Sequence, residues 1–154
     1  MNRIGIIGAM DEEVDILVEL MDIKETIEKA SLKFYKGTLE GKDIVLVRCG
    51  IGKVNSALCA QILISEFDVD AVVNTGVAGA LHSELDVLDM VISTDAIQYD
   101  VDTTAFGDPK GTIPRMESSV FVADEKLINA AYESSIKEMK SNKVLKGRVN
   151  ILIL

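Results

Sequence analysis

The sequence predicts an α/β domain of three layers, with helices on both faces of a central mixed sheet. Three observations carry that prediction. Short apolar runs rich in Ile and Val alternate with longer segments of helical spacing. Three of these runs end on small-residue turns, Gly8-Ala9-Met10, Gly50-Ile51-Gly52 and Gly76-Val77-Ala78-Gly79. The second of these three runs is separated from the run before it by only a few residues and must pair with it antiparallel, which makes the sheet mixed.

Taken in order, Arg3–Gly8 is a buried strand, a short Ile-rich run bounded by glycine. Residues 11–21 form a helix, because Val14, Leu17, Val18 and Met21 share one face and acids fill the first turn. Leu32–Leu39 and residues 43–49 are strands of a hairpin turning through Glu40-Gly41-Lys42. Lys53–Phe67 is a second helix, apolar on most sides and therefore expected to be largely buried. Ala71–Asn74 is a short strand, and residues 90–93 begin another that runs irregularly towards Tyr99. Residues 103–119 carry both prolines and no period, so they form a long loop, of the kind that is usually functional or mobile. Residues 124–139 form a third helix with Asp124 and Glu125 at its N-terminal end. Residues 144–149 start a last strand. The apolar run at residues 150–154 is an atypical tail, which reads as the end of a truncated form of something longer.

A chain of 154 residues has the length of one domain with a sizeable core. Its net charge of −9 disfavours nucleic acid, which needs clustered Lys and Arg. No apolar segment approaches membrane-spanning length, and no signal peptide opens the chain, so the expected place is the cytoplasm. Cys49 and Cys59 each lie in an apolar run and read as core thiols. No metal-ligand spacing joins them to His82, the single histidine, so no metal is expected, and His82 reads as a loop residue. Asp100-Val101-Asp102 has no third ligand near it in sequence and is discounted as a metal or acid-pair site.

The chemistry sits at the turns. A glycine after a strand is often turn chemistry alone, but three at equivalent strand ends suggest a ligand brought close to backbone. None matches the dinucleotide fingerprint or the P-loop. The first turn leads into Asp11-Glu12-Glu13, which puts carboxylates where α/β sheets hold their ligands. Phosphate at such a place wants N–H groups and positive charge, so the triplet suits water activation or hydroxyl recognition instead. Acids in a first turn also complement the helix dipole, and on spacing alone that accounts for Glu12 and Glu13. Arg48 and Lys53, beside the second turn, read as solvated charges.

Taken together, Ile4-Gly5-Ile6-Ile7-Gly8-Ala9-Met10-Asp11-Glu12-Glu13-Val14, Cys49-Gly50-Ile51-Gly52-Lys53-Val54-Asn55-Ser56-Ala57, Val73-Asn74-Thr75-Gly76-Val77-Ala78-Gly79 and Thr104-Ala105-Phe106-Gly107 closely resemble the bacterial 5′-methylthioadenosine/S-adenosylhomocysteine nucleosidases of the nucleoside phosphorylase superfamily. The resemblance runs from Arg3 to about Val149. It implies a nucleoside phosphorylase-like fold, with residues 1–149 the N-terminal part of a single nucleosidase domain that is incomplete on its C-terminal side.

By that resemblance the substrate is a small nucleoside cleaved by water to release adenine in methionine salvage, with no cofactor, in a homodimer. Glu13 is then the acid that activates water. Ala9 and Met10 line the sugar and water side, Ile51 packs near the alkylthio group and ribose, and Val77, Ala78 and Gly79 form the floor. Val77 stands where the family commonly has serine. Thr103, Phe106 and Pro114 belong to the loop lent to the neighbouring subunit. The family's aspartate that protonates adenine, and its Met-Glu segment that grips the ribose hydroxyls, are expected beyond residue 154, so this chain alone is expected to turn over at or near background. Two other readings stay open: a fragment without turnover, and a futalosine hydrolase or nucleoside phosphorylase on the same scaffold.

Overall fold

The computed structural model describes residues 2–140 and 142–150; the apolar ending at 151–154 lies outside them. Two compact units divide the chain, one ending at Ala78 and the other beginning at Gly79.

The first unit is built on β1 (Arg3–Gly8), α1 (Asp11–Leu20), β2 (Asp22–Lys29), β3 (Leu32–Leu39), β4 (Lys42–Arg48), α2 (Lys53–Phe67) and β5 (Ala71–Asn74). Its five strands lie in the order β2-β3-β4-β1-β5. β1 is parallel to both β4 and β5, whereas β2, β3 and β4 form an antiparallel meander. The β3–β4 turn has positive φ at both Glu40 and Gly41, the twist that two-residue hairpins favour.

Side-chain alternation sorts the core into two layers. Ile44 and Leu46 of β4, with Ile4 and Ile6 of β1, meet Val14 and Met21 from α1 and its C-cap. Val45 and Val47 of β4, with Ile7 of β1, meet Cys59, Leu63 and Phe67 of α2 on the opposite face. Helix, sheet and helix therefore stack as three layers in this unit. Phe67 closes α2 by stacking on Phe34 of β3, with ring centroids 5.0 Å apart. Asp70 ties the start of β1 to the strand that follows α2. Its Oδ2 accepts the N–H groups of Asn2 (2.5 Å) and Arg3 (2.9 Å). These bonds, Arg3's foremost, hold its carboxyl below the usual carboxylate range.

Two expectations change here. Helix α2 is apolar nearly all round but buries only Cys59, Leu63 and Phe67, the stripe that faces the sheet. Val54 is 83% exposed, Leu58 46% and Ile64 54%. One sheet covers one stripe, so an all-round apolar composition did not make the helix largely buried. Strand β2 was not read from the sequence at all. Its residues, Asp-Ile-Lys-Glu-Thr-Ile-Glu-Lys, are nearly all exposed, because it is an edge strand whose charges discourage further pairing.

The second unit holds β6 (Met90–Ile97), a 3₁₀ turn at Thr104–Phe106, β7 (Val120–Val122), α3 (Glu125–Glu138) and β8 (Val144–Asn150). β6 runs in the middle, antiparallel to β7 and parallel to β8. Asp124 caps α3 as its position suggests: Oδ1 accepts the N–H groups of Lys126 (2.9 Å) and Leu127 (3.0 Å). Among the described residues no helix is long and apolar enough to cross a membrane.

The buried stripe of α2 belongs to one of the first unit's two core layers. Leu63→Ala, at a side chain with no exposure, is expected to cost about 2–5 kcal/mol. Ile16→Ala, on the solvent face of α1, should stay within about 0.5 kcal/mol of the parent. Urea denaturation of the two variants checks the contrast.

Candidate active site

Because β4, β1 and β5 are parallel, their C-terminal ends open on one edge of the sheet. Gly8 pairs with Arg48 and Ile7 with Asn74. The pairing continues past the strands: Cys49 N–H donates to Gly8 O and Thr75 N–H to Ile7 O, both at 2.9 Å. The three small-residue turns are therefore neighbours. β4 and β5 flank β1 on opposite sides, and the crevice at such a reversal of strand order is where open α/β sheets take ligands.

Glu13 reaches back into that crevice from the first turn of α1. Its Oε2 accepts the N–H groups of Ala9 (2.6 Å) and Met10 (3.1 Å). Its Oε1 accepts the N–H of Val77 at 2.9 Å. One carboxylate thus joins the first and third turns through backbone donors, which are available because helix starts and tight turns leave N–H groups unpaired. Dipole complementarity explains an acid in a first turn but not a bond to a residue 64 positions away. Glu12, the neighbouring acid, is exposed.

The glycines permit this approach. A Cβ on Gly76 would stand 2.4 Å from Glu13 Oε1, and one on Gly8 would stand 2.5 Å from Val14 Cγ1. Gly8 lets α1 lie close to the end of β1, and Gly76 lets the third turn lie on the carboxylate. Neither role was read from the sequence, where small residues at the strand ends suggest a ligand brought close to backbone rather than a helix or a carboxylate packed against the glycines.

Ala9, Met10 and Ile51 come together along an open groove of about 300 Å³, lined also by Asp11, Glu12, Arg48 and Gly50. Arg48 was read as a solvated charge. It is half exposed, but its Nε lies 2.9 Å from Asp11 Oδ1 and bridges the first two turns. Asn55 Nδ2 donates to Ile51 O at 2.7 Å and steadies the second turn. Beneath it, Cys49 and Cys59 are buried free thiols. Burial, with Cys49 alongside, pushes Cys59 up to about 11. A larger surface hollow of about 650 Å³ lies over Lys24, Lys36 and Asp43, and contains none of the residues expected in the site.

Val77 is placed by its backbone, while its side chain is 79% exposed, and Ala78 is exposed at the end of the first unit. Gly79, Thr103, Phe106 and Pro114 belong to the second unit. There Thr103 is half-buried, with Oγ1 donating to Thr112 O at 3.4 Å, while Phe106 is 88% exposed and Pro114 exposed. His82 is an exposed loop residue whose Nδ1 accepts the Glu84 N–H at 3.3 Å. Asp102 accepts the side-chain and backbone bonds of Thr104, which hold its carboxyl below the usual range. Among the described residues no group of three or more His, Cys, Asp or Glu is placed to hold a metal ion.

The family model described as the phosphorylase superfamily matches residues 3–149. The chain belongs to the phosphorylase superfamily. Within the superfamily it is 46% identical over 147 residues to the 5′-methylthioadenosine/S-adenosylhomocysteine nucleosidase of Anoxybacillus flavithermus, covering 96% of this chain and 62% of that protein. The nucleosidase of the same name from Staphylococcus carnosus is 42% identical, with 97% and 63% covered. A crystal structure of such a nucleosidase from Colwellia psychrerythraea, in complex with adenine, is 40% identical with a TM-score of 0.92 and covers 99% of this chain and 62% of its own. The nucleosidase from Neisseria meningitidis, in complex with methylthio-immucillin-A, superposes with a TM-score of 0.89 at 38% identity, covering 96% of this chain and 63% of its own. The α/β fold of this superfamily member is thus shared with solved nucleosidases, while the chain spans less than two thirds of the length of these relatives.

Gly8→Ala is expected to destabilise this superfamily member by about 1–3 kcal/mol, because the new methyl group overpacks against Val14. Adding Val14→Ala should cost less in the Gly8→Ala background than alone. Strict additivity in a denaturant double-mutant cycle would refute the contact.

Proposed function

We propose that the whole protein to which these residues belong hydrolyses the N-glycosidic bond of 5′-methylthioadenosine and S-adenosylhomocysteine, releasing adenine for methionine salvage. The observation that carries this reading is the Glu13 carboxylate, held by three backbone N–H groups at the mouth of three parallel strands. The names of the relatives, and the adenine bound to one of them, support the substrate class.

Such cleavage passes through an oxocarbenium-like transition state. The C–N bond breaks with its electron pair going to the base. The oxygen of water bonds to the anomeric carbon, and its proton passes to Glu13 as general base. Ala9 and Met10 would line the water and sugar side, Ile51 the alkylthio side, and Val77, Ala78 and Gly79 the floor. Thr103, Phe106 and Pro114 would complete the pocket of a neighbouring subunit. Protonation of the departing base and the grip on the ribose hydroxyls are assigned to the part of the relatives that these residues do not span. Residues 1–149 would then be the N-terminal part of a single nucleosidase domain.

Water is favoured over phosphate as the nucleophile because Asp11, Glu12 and Glu13 cluster at the first turn, and an anion there meets like charge. The free buried thiols suit the reducing cytoplasm.

In the chain extended to the full length of its relatives, Glu13→Gln should lower adenine release by at least about 10²-fold. Glu12→Gln should cost no more than about 0.3–1 kcal/mol of stability and leave turnover near parent. Release should not depend on added phosphate. Full activity in Glu13→Gln, or activity lost on removing phosphate, would overturn the reading.

We also propose that the whole protein is a homodimer. Val54, Leu58 and Ile64 leave an uncovered apolar side on α2. Sedimentation of the same extended chain should give twice the monomer mass; a stable monomer would defeat this proposal.

A further inference from the structure

Glu13 is anchored unequally at its two oxygens. Oε2 accepts two N–H donors, from Ala9 at 2.6 Å and Met10 at 3.1 Å, whereas Oε1 accepts one, from Val77 at 2.9 Å. A carboxylate oxygen offers about two lone-pair directions, so the first position is filled and the second keeps one free. We infer that the oxygen at the Oε1 position takes the proton from water, and that Gly76 is the residue that positions it. This inference rests on the hydrolytic reading above and names the atom and the support that reading needs.

The support can be followed bond by bond. β5 pairs with β1, and Thr75 N–H extends that pairing to Ile7 O at 2.9 Å, which sets the backbone entering Gly76. Gly76 lies flat against the carboxylate: a Cβ there would stand 2.4 Å from Oε1, 2.8 Å from Cδ and 3.1 Å from Oε2. These separations are shorter than van der Waals contact, so only a residue without a side chain fits while Glu13 stays in place. The next residue then turns its N–H onto Oε1. The side chain of Val77, 79% exposed, takes no part in that bond. Oε2 needs no such help, because both of its donors come from the turn directly before α1. Gly76 thus acts through Glu13 and is a positioning residue rather than a catalytic one.

A methyl group at position 76 must push the carboxylate away or carry the Val77 N–H off it. The first movement displaces the basic oxygen and the second takes away its donor, while the Ala9 and Met10 N–H groups, which come from the turn before α1, stay available to Oε2.

The test begins with amide hydrogen exchange on the chain as it stands. In the parent, the Ala9, Met10 and Val77 amides should all be protected, and Glu13→Gln should weaken all three. Gly76→Ala should speed exchange at Val77 by about tenfold or more and leave Ala9 and Met10 protected. The second readout is kinetic, in the form that releases adenine. There Gly76→Ala should lower kcat about 10²-fold, with KM changed by less than about threefold. If Gly76→Ala does not fold, Val77→Pro removes the same donor and should give the same fall in kcat with Ala9 and Met10 still protected. Unchanged Val77 protection in Gly76→Ala, or parent kcat in either variant, overturns the positioning role. Retained turnover in Glu13→Gln sinks the hydrolytic reading instead, and the exchange result stands apart from it.

Discussion

The parallel pairing of β1 with both β4 and β5 is the constraint on which the rest of this structure depends. Parallel strands share a direction, so three turns far apart in sequence emerge at one edge. The registers Gly8 with Arg48 and Ile7 with Asn74 bring those ends level. A slip of two residues in either ladder would preserve the inward and outward faces yet move a turn by about 6–7 Å, beyond the reach of any hydrogen bond. The site therefore depends on register as much as on residue type.

Glu13 completes what the ladders begin. It spans the first and third turns with a single carboxylate, while the Arg48–Asp11 ion pair links the first and second. The two links differ in weight. The ion pair is half exposed on both sides and contributes little beyond orientation. The Glu13 bonds are charge-assisted, and they satisfy backbone donors at two turns at once. One carboxylate thereby fastens the first and third turns to each other at the edge where the parallel strands end.

Packing explains why these loops can come so close. α1 and α2 cover opposite faces of the sheet through alternate residues of β4, leaving its parallel edge to the small residues. Glycine at positions 8 and 76 keeps the helix and the third turn within contact of Glu13, at distances that no Cβ allows. α2 has a second apolar side that the sheet does not reach, at Val54, Leu58 and Ile64.

Much of the fold was legible in the sequence. The Ile-rich run of β1, the i, i+3, i+4 spacing of α1, the hairpin at Glu40-Gly41 and the Asp124 cap are local signals, each set by the chemistry of a few neighbouring residues. The motifs carried the superfamily as well, because they combine residue type with spacing. Strand β2 was hidden because all its residues but Ile27 are exposed, so no buried face imposes a period, and its charges read as loop. Burial of α2 was misjudged because composition states what a helix could bury, whereas only its neighbours state what it does. The Val77 donor on Glu13 and the contact of Gly76 with its carboxylate were also out of reach. They depend on the meeting of residues 64 positions apart, which strand register decides and no local pattern encodes.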